Sequence, residues 1–148
     1  QDEKFYFSSK SQGMEVMTEM LIFLMQVTDR LIYEAMEPEH RVQFIGAMAY
    51  RFLDLVLDNY SDLSEEGPER TDLVGLINER SADYAEFSYG DDGPSYHFLR
   101  YFGEKVGAIM GDDQDNKWVI DQMMEVEAPD VIASLKKSIG GIVGINVD

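Results

Sequence analysis

Carboxylates are the side chains in this sequence whose number and spacing could do chemistry. Glu65, Glu66 and Glu69 fall within five residues, and Glu79 and Asp83 follow four apart, a spacing that puts both on one helical face. Magnesium takes oxygen ligands at nearly octahedral geometry, so acids one turn apart on a helix could hold it. Gly67-Pro68 interrupts the first group. The residue before a proline avoids the α region, so Glu66 and Glu69 are not expected on one continuous helical face. Acids are also favoured at the positive end of a helix, which makes a solvated helix start the simpler reading.

The string Glu65-Glu66-Gly67-Pro68-Glu69 resembles the first half of the Glu-Glu-x-x-Glu pattern of all-α nucleotide pyrophosphohydrolases, over this one motif. The resemblance implies a magnesium-dependent hydrolase of nucleotide-like substrates, with carboxylates drawn from Glu65, Glu66, Glu69, Glu79 and Asp83. The second element of that pattern is an acid followed three residues later by Asp. Glu69 and Asp72 have this spacing but overlap the first element, and Glu79 and Asp83 do not have it.

Other constellations are thinner. Glu37-Pro38-Glu39-His40 has a Glu-x-x-His spacing, but a di-iron bundle needs that motif twice, and no Glu stands three residues before His97, the only other histidine. Two acidic loops, Asp91-Asp92 and Asp112-Asp113-Gln114-Asp115-Asn116, fail the EF-hand register, which needs a glycine at the sixth position and a closing glutamate. With no cysteine there is no thiolate for catalysis or zinc. No Gly-x-Ser-x-Gly elbow, phosphate loop or Gly-x-Gly-x-x-Gly occurs. The chain reads as non-enzymatic, with no cofactor and no metal expected.

Aromatics suggest a contact surface instead. Tyr84, Phe87, Tyr89, Tyr96, Phe98, Tyr101 and Phe102 crowd into nineteen residues with His97, Arg100 and the Asp91-Asp92 pair. Tyrosine carries an apolar body and a polar tip, which suits a half-wet interface. The partner-binding residues expected here are Tyr84, Tyr89, Asp91, Asp92, Tyr96, His97, Arg100 and Tyr101.

Helices must position all of these. From Met14 to Met36 apolar residues recur at spacings of three and four, with Val16, Phe23, Val27 and Ile32 widening the stripe. Pro38 opens a second helix to about Asn59, expected to bury Val42, Ile45, Met48, Ala49, Phe52, Leu53, Val56 and Leu57. A third starts near Pro68 or Glu69. Tyr89-Gly90-Asp91-Asp92-Gly93-Pro94 is a loop by its glycines and proline, and Ser95 caps a fourth helix. A fifth runs from about Asp115 to Glu127, and Pro129 opens a sixth. Gly140 to Val147 is glycine-rich and expected to be non-helical. Gly103, Gly107 and Gly111 recur every four residues, as at a close helix contact, internal or at a homodimer seam. The architecture expected is all-α: an irregular bundle of five to six helices with a long N-terminal helical hairpin. Residues 1–13 read as a flexible arm and 14–148 as one domain.

Charge narrows the partners. Asp and Glu number 29 against 12 Lys and Arg, a formal net charge of −17. From Asp54 to Asp92 twelve acids face two arginines, so more than half of the excess lies there. Such a balance opposes direct binding to nucleic acid and adsorption to anionic lipid. The longest apolar run, Met20 to Met25, is far short of the roughly 20 residues a membrane span requires. The expectation is a soluble, cytoplasmic protein-binding module of the adaptor, chaperone or inhibitor type, using an acidic helical surface to hold a basic or hydrophobic protein.

Overall fold

The computed structural model of the chain describes residues 6–111 and 115–143. Phe5, Asp112-Asp113-Gln114 and the tail beyond Val143 lie outside the described residues. The architecture is all-α, a bundle with one very short β hairpin.

Helix α1 (Lys10–Ile32) starts four residues before the apolar periodicity does. Ser9 supplies the reason: its hydroxyl accepts from Gln12 N–H at 3.0 Å, while the Gln12 carboxamide accepts from Ser8 N–H at 2.7 Å and donates to the Ile109 carbonyl at 3.2 Å. A reciprocal cap of this kind satisfies amides that have no intrahelical partner. Residues 10–13, read in sequence as arm, are therefore the first turn of the helix. The helix ends at Ile32 rather than Met36, and α2 (Pro38–Asp62) begins with proline at a position where its missing N–H costs nothing. Asp29 and Arg41 pair across the connection at 2.8 Å, closing the expected hairpin.

Helix α1 is central because it is apolar on two sides. Val16, Ile22, Phe23 and Val27 join Tyr84, Phe98, Phe102, Val106, Val119 and Met123 in the main core. Met14, with Met17 and Leu21 packed alongside, joins Leu53, Val56, Tyr60 and Leu73 in a second cluster. Phe23 stacks on Phe102 with centroids 4.2 Å apart and meets Phe98 edge-on at 5.9 Å. A helix clamped this way has no solvent face near its middle, and Glu19 there is only 4% exposed.

Helix α3 (Arg70–Tyr84) answers that buried charge. Arg80 reaches both Glu19 carboxylate oxygens, through Nε at 3.0 and 3.2 Å and Nη2 at 3.0 Å. A two-pronged guanidinium–carboxylate contact is the geometry that best offsets desolvation. The remaining nitrogen of the fork binds Glu79 at 2.6 Å. At the start of α3, Asp72 accepts from the Glu69 N–H at 3.2 Å, so this acidic turn is a cap.

After α3 the segment read as a loop contains a two-residue ladder, Tyr89–Gly90 (β1) against Gly93–Pro94 (β2), antiparallel, with Tyr89 opposite Pro94. Gly93 takes φ +111°, a conformation that disfavours residues with a Cβ and explains the glycine. Ser95 caps α4 (Tyr96–Met110), accepting from Phe98 N–H at 3.2 Å, as expected. Helix α5 (Asn116–Gln122) lies against α4. A Cβ on Gly103 would stand 3.1 Å from the Ile120 carbonyl oxygen, and one on Gly107 would stand 2.9 Å from the Asn116 amide. The glycine stripe is thus filled from within by α5, except for Gly111, which ends α4 with φ +59°.

The fifth and sixth helices are not separated by a break. Residues Met123–Glu127 form a π turn leading directly into α6 (Ala128–Val143), with Ala128 N–H bonded to the Met123 carbonyl. Pro129 explains it. A proline inside an α-helix lacks the N–H and clashes with the carbonyl four residues back, and a widened turn relieves both. The extra residue also realigns the core face, bringing the buried Met123 and Ala128 one turn apart. Residues 140–143, expected to be non-helical, are the last turn of α6.

Two stability tests follow from this packing. Gly103→Ala, crowding the Ile120 backbone, should destabilise by about 1–3 kcal/mol, whereas Gly75→Ala, with nothing within 4 Å, should stabilise by about 0.5–1 kcal/mol; urea midpoints at constant slope report both. Glu19→Ala should lose about 3–5 kcal/mol by leaving the buried Arg80 guanidinium with only the exposed Glu79 as partner, and Glu19→Leu/Arg80→Leu should recover most of it. A double variant no better than the single would show that the pair does not act as a unit.

Candidate functional site

The five carboxylates that could have formed a metal centre do not converge. Glu69 caps α3, Glu79 turns to Arg80, and Asp83 accepts from the Tyr101 hydroxyl. Glu65 and Glu66 lie in the link before α3. Among the described residues no group of three or more His, Asp and Glu side chains is placed to hold a metal ion.

The eight aromatic-region residues divide among three environments. Tyr84 is fully buried, its ring 4.8 Å from Phe98 and 4.7 Å from Tyr101, so it belongs to the core and offers nothing to a partner. Tyr101 is half-buried beside it, tied to Asp83. Tyr96, His97 and Arg100 lie along the outer side of α4, where Arg100 donates to the Tyr96 hydroxyl at 3.3 Å and pairs with Glu104 at 3.4 Å. Tyr89 and Asp91 sit on the hairpin and open onto a groove, with exposed Asp92 next in the turn.

That groove has a volume of about 970 Å³. One wall is the second half of α1 with Met25, Asp29 and Tyr33; another is the first half of α2; the third is the end of α3 with Ile77 and Ser81, followed by Phe87, Tyr89 and Asp91. Helix α2 contributes Val42, Ile45, Gly46 and Ala49, a stripe at helical spacing. The sequence places this stripe in the core. In the structure no residue of α2 before Leu53 is buried, and Val42 is 69% exposed. The bundle buries the second half of α2 through Leu53, Val56 and Tyr60 and leaves the first half only partly covered.

The groove lining carries three carboxylates, Asp29, Glu34 and Asp91, and two cations, Arg30 and Lys136. Glu34 and Asp91 line it, Glu86 stands between the lining residues Ala85 and Phe87, and Asp92 follows Asp91. All four are exposed and none has an ion-pair partner among the described residues. Of the lining cations, Arg30 is committed to the wall, donating to the Tyr84 carbonyl at 3.0 Å with its guanidinium 5.4 Å from the Phe98 ring. Lys136 has no partner among the described residues.

Burial holds the tyrosines of this region neutral. It pushes the Tyr89 phenol up to about 12, against the opposing effect of Arg30, and raises Tyr84 well above its ordinary value, helped by the Glu19 charge. Burial and then the bond to Asp83 raise Tyr101. The Tyr84 and Tyr89 hydroxyls are buried and have no hydrogen-bond partner among the described residues.

Compared with protein-family models, with curated proteins and with solved structures, the chain finds no match in any of the three.

The raised phenols set an alkaline limit. Unfolded tyrosine releases its proton near pH 10 while the folded phenols keep theirs, so the unfolded state binds fewer protons and stability falls as pH rises. Stability should be level up to about pH 10 and drop between about 10 and 12, followed by urea melts and tyrosinate absorbance. Tyr89→Phe should soften that drop and leave neutral-pH stability unchanged or slightly higher, because the lost hydroxyl had no partner.

Proposed function

We propose that the chain is a protein-binding module whose receptor surface is the groove between α1, the first half of α2 and the β hairpin. The observation that carries this reading is the stripe Val42, Ile45, Gly46 and Ala49, of which Val42 is 69% exposed and the other three are half-buried. An apolar helical face normally finds full cover within its own chain, and one left partly open offers a contact surface. Rim carboxylates keep such a surface hydrated while it is empty. Tyr89, its hydroxyl buried, adds only part of its aromatic ring to the wall. The formal charge of −17 disfavours phosphate-rich ligands, and among the described residues no helix is long and apolar enough to cross a membrane.

An unbiased peptide-display selection on the immobilised protein tests this reading, run in parallel on Val42→Asp/Ile45→Asp. Enrichment of peptides that lose at least about tenfold in affinity, roughly 1.4 kcal/mol, on the variant is the expected result. Selection that yields nothing, or peptides indifferent to the variant, would remove the groove as the receptor surface.

A further inference from the structure

Resting on the reading of the groove as a receptor surface, we infer that its occupant is a basic amphipathic helix. Three features point to this chemistry. The α2 wall is patterned for a helix: Val42, Ile45 and Ala49 repeat at three- and four-residue spacing, and grooves with such a stripe take the apolar face of a partner helix. From Val42 to Ala49 the stripe runs about 10 Å at 1.5 Å per residue, so two to three turns of a partner would cover it.

The rim selects the sign of the partner's polar face. Glu34 from the α1–α2 link and Asp91 on the hairpin line the groove, exposed and without ion-pair partners among the described residues, with Glu86 and Asp92 next to lining residues in the chain; the lining cations are Arg30, held in the wall, and Lys136. Lysines or arginines flanking the apolar face of a docked helix would meet these carboxylates at the edge of the contact, where charge acts on encounter rate and partner choice. The third feature is the charge of the whole chain. A second copy would bring another chain of formal charge −17, so association with itself works against long-range repulsion while a cationic segment is drawn in.

Binding to the full chain would be measured by fluorescence anisotropy with three designed, labelled peptides of about 14 residues, long enough for the two to three turns above. One is a Leu/Lys helix with a single apolar face, one a Leu/Glu helix with the same face, and one has the Leu/Lys composition shuffled so that no face forms. The expected result is that the first binds at least about tenfold tighter than the other two. It should lose about tenfold or more on Val42→Asp, a position exposed enough that the fold is kept, and weaken with added salt less steeply on Glu34→Gln/Asp91→Asn/Asp92→Asn than on the parent. Equal binding of the Leu/Glu helix would overturn the basic partner while leaving the groove as a receptor. Equal binding of the shuffled peptide, binding unaffected by Val42→Asp, or no binding at all would overturn both. A dimer seen by sedimentation and broken by Val42→Asp would make a second copy the occupant and overturn the inference.

Discussion

The buried carboxylate of Glu19 is the constraint from which the arrangement of the other helices follows. It sits in a helix that two apolar clusters grip from opposite sides, so it cannot turn to water. An unpaired charge there would cost several kcal/mol, and only a cation arriving at one particular height along α1 removes that cost. Arg80 is 13% exposed on its side-chain surface and holds both oxygens. Because the contact is two-pronged, a slide of α3 by a single residue would break it. One turn further along α3, Asp83 takes the Tyr101 hydroxyl and brings α4 into the same register. Such a pair acts on position more than on stability, since apolar replacement of both partners can be nearly neutral while loss of one is not.

The groove is a consequence of that registration. With α3 fixed by Glu19, its first turns meet the second half of α2 through Leu73, and its last turns are spent on the core through Tyr84. Among the described residues no element then buries the first half of α2. The hairpin after α3 folds back toward α4, with Tyr89 against Phe98 at 5.6 Å and the Arg30 guanidinium wedged beside both rings. Its acidic tip is left at the groove's edge. An apolar face bounded by carboxylates is thus made by three separate segments, none of which carries a binding motif of its own.

The extent to which this was legible in the sequence varies with the range of the interaction. Helix existence is a local property: the three-and-four periodicity, Pro38 at a first turn and Ser95 as a cap each point to the element that forms. The N-terminus of α1 was obscured because its cap is Ser9, in a polar stretch that reads as a terminus, and because Gln12 is held by a carbonyl 97 residues away. Periodicity on α2 shows an apolar face and says nothing about whether the chain supplies its cover; hence Val42, Ile45 and Ala49 read as core. Tyr84 differs from the tyrosines around it only through long-range packing on Phe23 and Phe98. Glu19 and Arg80, 61 residues apart, carry no local mark that they meet. Glu69 and Asp72 fit a metal motif and a helix cap equally well by type and spacing, and the backbone decides for the cap.

The π turn at Met123–Glu127 has a bearing on how the length of this chain can vary. An α-helix advances about 100° per residue, so an inserted residue ordinarily swings every following side chain off the core. Here the surplus residue is absorbed locally, and Ala128, Ile132 and Ile139 still face inward. Deleting one residue within the turn would leave the same face aligned, but Pro129 would then stand in an ordinary helix and clash with it. The surplus residue and the proline are therefore coupled in one direction: Pro129 can stay only while the surplus residue does, whereas the wide turn does not itself require the proline.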